Sequence, residues 1–138
     1  MKKDYFKEMN LQKYEIKMDI LGFEETKNVE IHEIDDFFST MQDTDNKDIS
    51  FTIVNPYQLR EYSFDLPSNI KVLLDIKENS KIDVYNIVVI QKPLENSTVN
   101  FLAPIILNND NNKIAQTVLS KKDHPEFGMT ETIKSFKE

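Results

Sequence analysis

The sequence predicts a mainly β protein: an antiparallel β-barrel-like or sandwich arrangement of short strands, with one or two short helices. Three observations carry that prediction. Apolar and polar residues alternate in several short runs, the period of a half-buried strand. Clusters of Asn, Asp, Pro and Ser punctuate those runs. Long helices do not separate the runs regularly, which disfavours a parallel α/β sheet.

Tyr14, Ile16, Met18 and Ile20 alternate with Glu15, Lys17 and Asp19 and predict the first strand. Leu21-Gly22-Phe23 reads as a turn. Val29, Ile31 and Ile34 form a second strand around Glu30 and His32. Asp35-Asp36 before Phe37-Phe38-Ser39-Thr40-Met41 predicts a cap and a short helix. A polar loop follows over Asp43–Asp48. The β-branched run Ile49–Val54 reads as a strand stopped by Asn55-Pro56. Tyr62, Phe64 and Leu66 predict another strand.

Ser68 reads as the N-cap of a two-turn helix carrying Ile70, Leu73, Leu74 and Lys77. Ile82–Ile90 is a strand whose run Ile87-Val88-Val89-Ile90 predicts burial on both faces. Thr98–Leu102 reads as a strand interrupted by Pro104, which marks an edge, bulge or bend because proline cannot donate to a ladder. Ile105–Leu107 resumes it, Asn108–Asn112 makes a hairpin turn, and Ile114–Leu119 returns as partner. Met129, Ile133 and Phe136 are spaced for an amphipathic terminal helix.

A chain of 138 residues fits a single domain with a real core. It has no cysteine, which excludes disulfides, thiolate metal sites and a cysteine nucleophile, and suits a reducing cytoplasm. No apolar h-region follows Met1–Glu8, so no signal peptide is expected, and no run reaches the roughly 18 residues of a membrane span. The net charge is −7. That disfavours direct nucleic-acid binding and is compatible with a basic protein partner. Residues 1–14 carry four Lys against Asp4 and Glu8, whereas residues 15–48 hold eleven acids against three Lys. A solvated acidic face and a docking surface for a basic partner both fit this pattern.

No catalytic constellation is apparent. His32 and His124 are the only imidazoles, and neither has metal-motif spacing. His32 reads as a solvent-facing strand residue and His124 as exposed in a connector. Asp43–Asp48 fails the EF-hand pattern, with Lys47 and Asp48 at its fifth and sixth positions. Two isolated glycines cannot form a P-loop or dinucleotide fingerprint. Asn96-Ser97-Thr98 is a chance glycosylation sequon. The expectation is a non-enzyme without cofactor or metal.

Phe51-Thr52-Ile53-Val54-Asn55-Pro56-Tyr57, followed by Glu61-Tyr62 and Leu66-Pro67, resembles the F-V-V-x-[DN]-P-F…Y…L block of the FliW family of flagellar assembly factors. Thr98–Asn108 resembles that family's T-x-N-L-x-A-P-I-x-x-N signature. Leu21-Gly22-Phe23-Glu24, Met41-Gln42 and Gln116-Thr117-Val118-Leu119 resemble its GFE turn, LQS element and QVxL strand. The matches span about residues 12–120 of a single domain, 1–138, leaving a tail over 121–138. Lys17–Ile20 stands in place of the family's F-P-x-G, and Asp43 stands where Ser is usual.

The resemblance implies a non-enzymatic, β-barrel-like protein of the bacterial cytoplasm. Such proteins bind CsrA, an RNA-binding repressor of flagellin translation, and antagonise it allosterically. Flagellin in turn sequesters them. A chaperone-like flagellin-binding module without an RNA-regulatory role is the alternative. Candidate contact residues are Asn100, Ala103, Pro104, Ile105 and Asn108 in the signature, and Asn55, Pro56 and Tyr57 in the first block. Each of these also has a scaffolding reading as a turn or core residue. Asp35, Asp36, Asp43 and Asp45 are the electrostatic candidates.

Overall fold

A computed structural model describes residues 12–136. Nine strands run in chain order: β1 (Gln12–Met18), β2 (Asn28–Glu33), β3 (Phe38–Asp43), β4 (Ser50–Val54), β5 (Ile82–Val89), β6 (Thr98–Val99), β7 (Ile105–Asn108), β8 (Lys113–Gln116) and β9 (Glu131–Thr132). One α-helix, α1 (Ser68–Leu73), and 3-10 turns at Pro56–Gln58, Leu94–Asn96 and Ile133–Phe136 complete the described elements.

The sheet order is β4-β3-β2-β1-β8-β7-β5-β6-β9, and β4 also pairs with β5. Seven strands therefore close into a barrel, with β6 and β9 appended beside β5. All pairs are antiparallel except β1–β8. Closure removes sheet edges from most of the circumference. The barrel reading is thus realised, with one parallel pair inside a predominantly antiparallel sheet.

Strand alternation builds the interior. Tyr14 and Ile16, Val29 and Ile31, Met41, Phe51 and Ile53, Tyr85 and Ile87, Ile105 and Leu107, and Ile114 make one apolar cluster to which all seven strands contribute. A second cluster lies outside one wall. There Val84, Val88, Ile106 and Ala115 face outward beneath Tyr62, Ile70, Leu74, Phe101, Phe127 and Ile133. The crossover segments thus act as a lid of apolar side chains over β5, β7 and β8.

Several expectations give way to this arrangement. Phe37–Met41 is not helical. Asp35 Oδ1 accepts from the backbone N–H of both Phe37 and Phe38 at 2.8 Å, which closes a turn, and the chain then enters β3. Ser39, Met41 and Asp43 alternate inward as a strand requires. Ile34 lies just outside β2 and is exposed. Tyr62–Leu66 is no strand: Tyr62 is buried and donates from its hydroxyl to the Phe101 carbonyl at 2.6 Å, so the segment is an extended cover. The α1 helix forms, but Pro67 occupies its N-cap and no side chain caps it, so Ser68 is its first residue.

The burial of Ile87–Ile90 is also one-sided at its end. Ile87 and Val88 pack into the two clusters, whereas Val89 and Ile90 are 56% and 47% exposed. The strand buried on both faces is β7, all four residues of which are covered. The strand at Thr98 ends at Val99; a turn follows, and buried Pro104 makes the bend into β7. The Asn108–Asn112 turn joins β7 to β8 as expected, with Asn112 at φ 57°. The tail ends in β9 and a 3-10 turn; Ile133 is buried and Met129 is exposed, so the three residues do not share one helical face.

Candidate functional site

The barrel opens to a polar mouth at one end. Period-two alternation, which places Val29 and Ile31 inside, carries Glu33 onto the same face at the end of β2. Ser39 opposes it on β3. On β5 the same logic aligns Asp83 with Tyr85 and Ile87, and Asp83 opposes Leu107. Carboxylates thus face inward where the interior opens to water.

The β2–β3 turn adds Asp35 and Asp36, both exposed. The chain leaving β4 adds Asn55. Its Oδ1 accepts from Tyr57 N at 3.0 Å, and its backbone N–H donates to the Phe37 carbonyl at 3.3 Å, which ties the two segments together. Two adjoining clefts result, of about 450 and 390 Å³, sharing Glu33, Ser39 and Tyr85. Asp83 and Tyr14 line the first; Asp35, Asp36 and Asn55 line the second. Among the described residues, no lysine or arginine lines either cleft. Among the described residues, no cation pairs with any of the four carboxylates.

Tyrosines hold this acidic mouth in shape. Tyr14 donates from its hydroxyl to Asn109 Oδ1, and Asn109 Nδ2 donates to Asp83 Oδ2 at 2.7 Å. Burial, reinforced by the charge of Asp83, pushes the Tyr14 phenol up to about 12. Tyr85 is raised by burial and then by Asp83 and Glu33; Tyr57 is raised by burial and then by Asp83. All three phenols therefore stay protonated at neutral pH, and Tyr14 acts as a donor there. An acidic, aromatic-lined recess with no cation among the described residues suits a lysine or arginine side chain of a partner. Among the described residues, no group of three or more His, Asp or Glu is placed to hold a metal. No helix among them is long and apolar enough to cross a membrane.

The sequence candidates separate into three places. Asp35, Asp36 and Asn55 meet at the mouth, with Tyr57 beside them, 54% exposed, and Pro56 buried beneath. Asp43 lies at the other end of β3, where the chain turns into β4. It is buried, accepts from Thr26 Oγ1 at 2.8 Å through Oδ2, and caps the N–H groups of Asp45 and Asn46 through Oδ1. Asp45 is exposed on that distant turn. Ala103, Pro104, Ile105 and Asn108 are buried. Their groups serve the chain itself: Gln116 Nε2 donates to the Ala103 carbonyl, Thr117 N to the Pro104 carbonyl, and Asn108 Nδ2 to the Leu74 carbonyl. Asn100 is half-buried, and its Oδ1 accepts from Leu102 N at 3.0 Å.

Sequence reasoning missed Glu33, Asp83, Tyr14 and Tyr85 as parts of one site. Alternation places Tyr14 on the apolar side of its strand but does not single out Glu33, Asp83 or Tyr85. Only the closure of β4 onto β5 brings them together. His32 is exposed as expected, whereas His124 is half-buried and stacks on Phe127 with ring centroids 5.4 Å apart.

The model of the family described as FliW protein matches residues 1–129. The chain belongs to the FliW protein family. It is 49% identical over 123 residues to flagellar assembly factor FliW 1 of Wolinella succinogenes, covering 89% of this chain and 96% of that protein. It is 46% identical over 121 residues to flagellar assembly factor FliW of Sulfurimonas denitrificans, covering 88% and 94%. A crystal structure of the flagellar assembly factor FliW superposes with a TM-score of 0.81 at 22% identity, over 95% of this chain and 89% of that one; this likeness shows the fold. The FliW resemblance of the sequence motifs is therefore correct.

Proposed function

We propose that this FliW-family chain is a non-enzymatic regulator of the bacterial cytoplasm that docks the basic surface of CsrA against its acidic barrel mouth. One observation carries the reading: Glu33, Asp35, Asp36 and Asp83 converge there, and among the described residues no lysine or arginine lines the clefts. Such a surface steers a basic protein and repels RNA, so it antagonises an RNA-binding repressor by gripping the protein and not the message. Relief of repression is then allosteric, and flagellin acts as the competing partner that sequesters the regulator. No cofactor takes part.

Mixing the purified chain with CsrA tests the reading. A complex that weakens as salt rises supports it. No heat by titration calorimetry at tens of micromolar, roughly the limit of weak specific association, refutes it. A complex with flagellin that leaves CsrA activity on leader RNA unchanged would instead favour the chaperone-like alternative.

A further inference from the structure

At the end of the β4–β5 pair away from the acidic mouth, the barrel wall splays. The β4–β5 ladder stops at Thr52 opposite Val88. Yet β4 continues to Ser50, held on its other side by Gln42 of β3. Likewise β5 continues to Val89, held on its other side by Thr98 of β6. Each strand therefore turns a short edge toward the gap with no ladder partner among the described residues.

The gap is a groove of about 640 Å³. Phe51, Val89 and Ile90 line it, with Leu21 and Phe23 of the Ile20–Phe23 turn and Met129 of the tail. Phe23 stands edge-on against Phe51, with ring centroids 4.8 Å apart. Leu21 and Met129 are 60% and 61% exposed. Contiguous apolar exposure of this kind marks a surface meant to be covered. Among the described residues, no charged side chain lines the groove, although charged residues make up 30% of the chain.

We infer that this groove takes up an uncharged, apolar segment of a partner polypeptide, in extended form, by strand addition between Ser50–Phe51 and Val89–Ile90. The neutral lining excludes a charged occupant, because a buried charge there would find no counter-ion. The two open strand edges select extended backbone over helix, which has no free N–H and C=O groups to offer them. Asn100 also lines the groove. Its Oδ1 is engaged by Leu102 N, so its amide nitrogen is left to donate to an incoming carbonyl. This surface is separate from the acidic mouth: β4 runs from the groove at Ser50 to the mouth at Asn55, and β5 returns from Asp83 to the groove. A basic partner and an apolar segment thus have different seats, and occupancy of the groove does not depend on CsrA.

The probe is a capped, uncharged peptide of alternating threonine and valine, titrated into the labelled protein and followed by amide NMR. Shifts are expected at Ser50, Phe51, Val89 and Ile90, insensitive to added salt. Met129→Lys and Val89→Lys, both at exposed positions, should each weaken the peptide about tenfold or more while leaving the spectrum of the fold intact. No shift at about 1 mM peptide overturns the inference. So do shifts confined to the acidic mouth. Concentration-dependent self-association that protects the same amides would assign the groove to a second copy. Binding to neutral phosphatidylcholine vesicles without peptide binding would assign it to a membrane surface; either result replaces the proposal.

Discussion

The segment Asn100–Asn108 and the acidic mouth contrast in what their residues do. The segment holds the densest family signature, and nearly all of it is buried, with most of its polar groups engaged by the chain's own carbonyls and amides. The mouth is built from carboxylates that are individually unremarkable in sequence, and four of them are exposed with no cation pairing with them among the described residues. The difference teaches that the motif which identifies the fold is the one that builds it. Affinity for a partner is expected from residues whose only distinction is where the barrel places them.

The largest expected effect comes from breaking the scaffold side. Ile105 is fully buried on the strand shared by both apolar clusters. Ile105→Ala should cost about 2–5 kcal/mol of stability, measured by urea unfolding, with a lowered midpoint and an unchanged slope. If it costs under about 1 kcal/mol, the scaffold assignment of the signature fails.

Next comes the polar pin of the outer layer. The buried hydroxyl of Tyr62 donates to the Phe101 carbonyl and accepts from Asn86 Nδ2 at 3.2 Å. Tyr62→Phe leaves that carbonyl without its donor and should cost about 1–3 kcal/mol. Tyr62 also has an alkaline signature. Burial, the leading cause, raises its phenol to about 12, and the same holds for Tyr14. The unfolded chain loses these protons near pH 10 while the native state keeps them, so the unfolded state binds fewer protons between about pH 10 and 12. Stability is then fully present below about pH 10 and falls through that window. Tyr62→Phe should flatten the fall, which urea titrations at stepped pH will read.

A sharper pair contrasts two acids of one turn. Asp43 is buried and accepts three hydrogen bonds, whereas Asp45 is exposed. Asp43→Ala should cost about 1–3 kcal/mol, and Asp45→Ala within about 0.5. Equal costs would show that burial does not separate them.

These two acids also mark what was legible in sequence. Pattern reading placed β1 and β2 by period two, and β4 and β5 by their apolar β-branched runs. It failed at Phe37–Met41, where an aspartate before an apolar run looks alike whether it caps a helix or closes a hairpin. It failed at Ile87–Ile90, where four apolar residues signal double burial but the wall splays and exposes two. Sequence adjacency grouped Asp43 and Asp45 with Asp35 and Asp36. The β3 strand sets them at opposite ends. Conversely, Asp83 and Tyr14 join the mouth only through strand pairing, which no local pattern encodes.

The smallest effect on stability is expected from the change with the largest effect on docking. Glu33→Gln, Asp35→Asn, Asp36→Asn and Asp83→Asn together remove four negative charges from the mouth and keep an acceptor oxygen at each position. That matters at Asp35, whose Oδ1 holds the turn by accepting from Phe37 and Phe38, and at Asp83, which accepts from Asn109. Unfolding free energy should therefore move by no more than about 0.5 kcal/mol per site. Association with a basic partner, CsrA on the reading above, should slow about tenfold or more at low salt, and its dependence on salt should flatten, because steering acts through long-range field and not through contact. Stopped-flow rates across a salt series measure both. The companion variant Asp45→Asn, which sits at the far end of β3, should change neither. If the fourfold variant leaves rate and salt slope unchanged, the mouth is a solvated face, and the partner's seat must be sought elsewhere on the barrel.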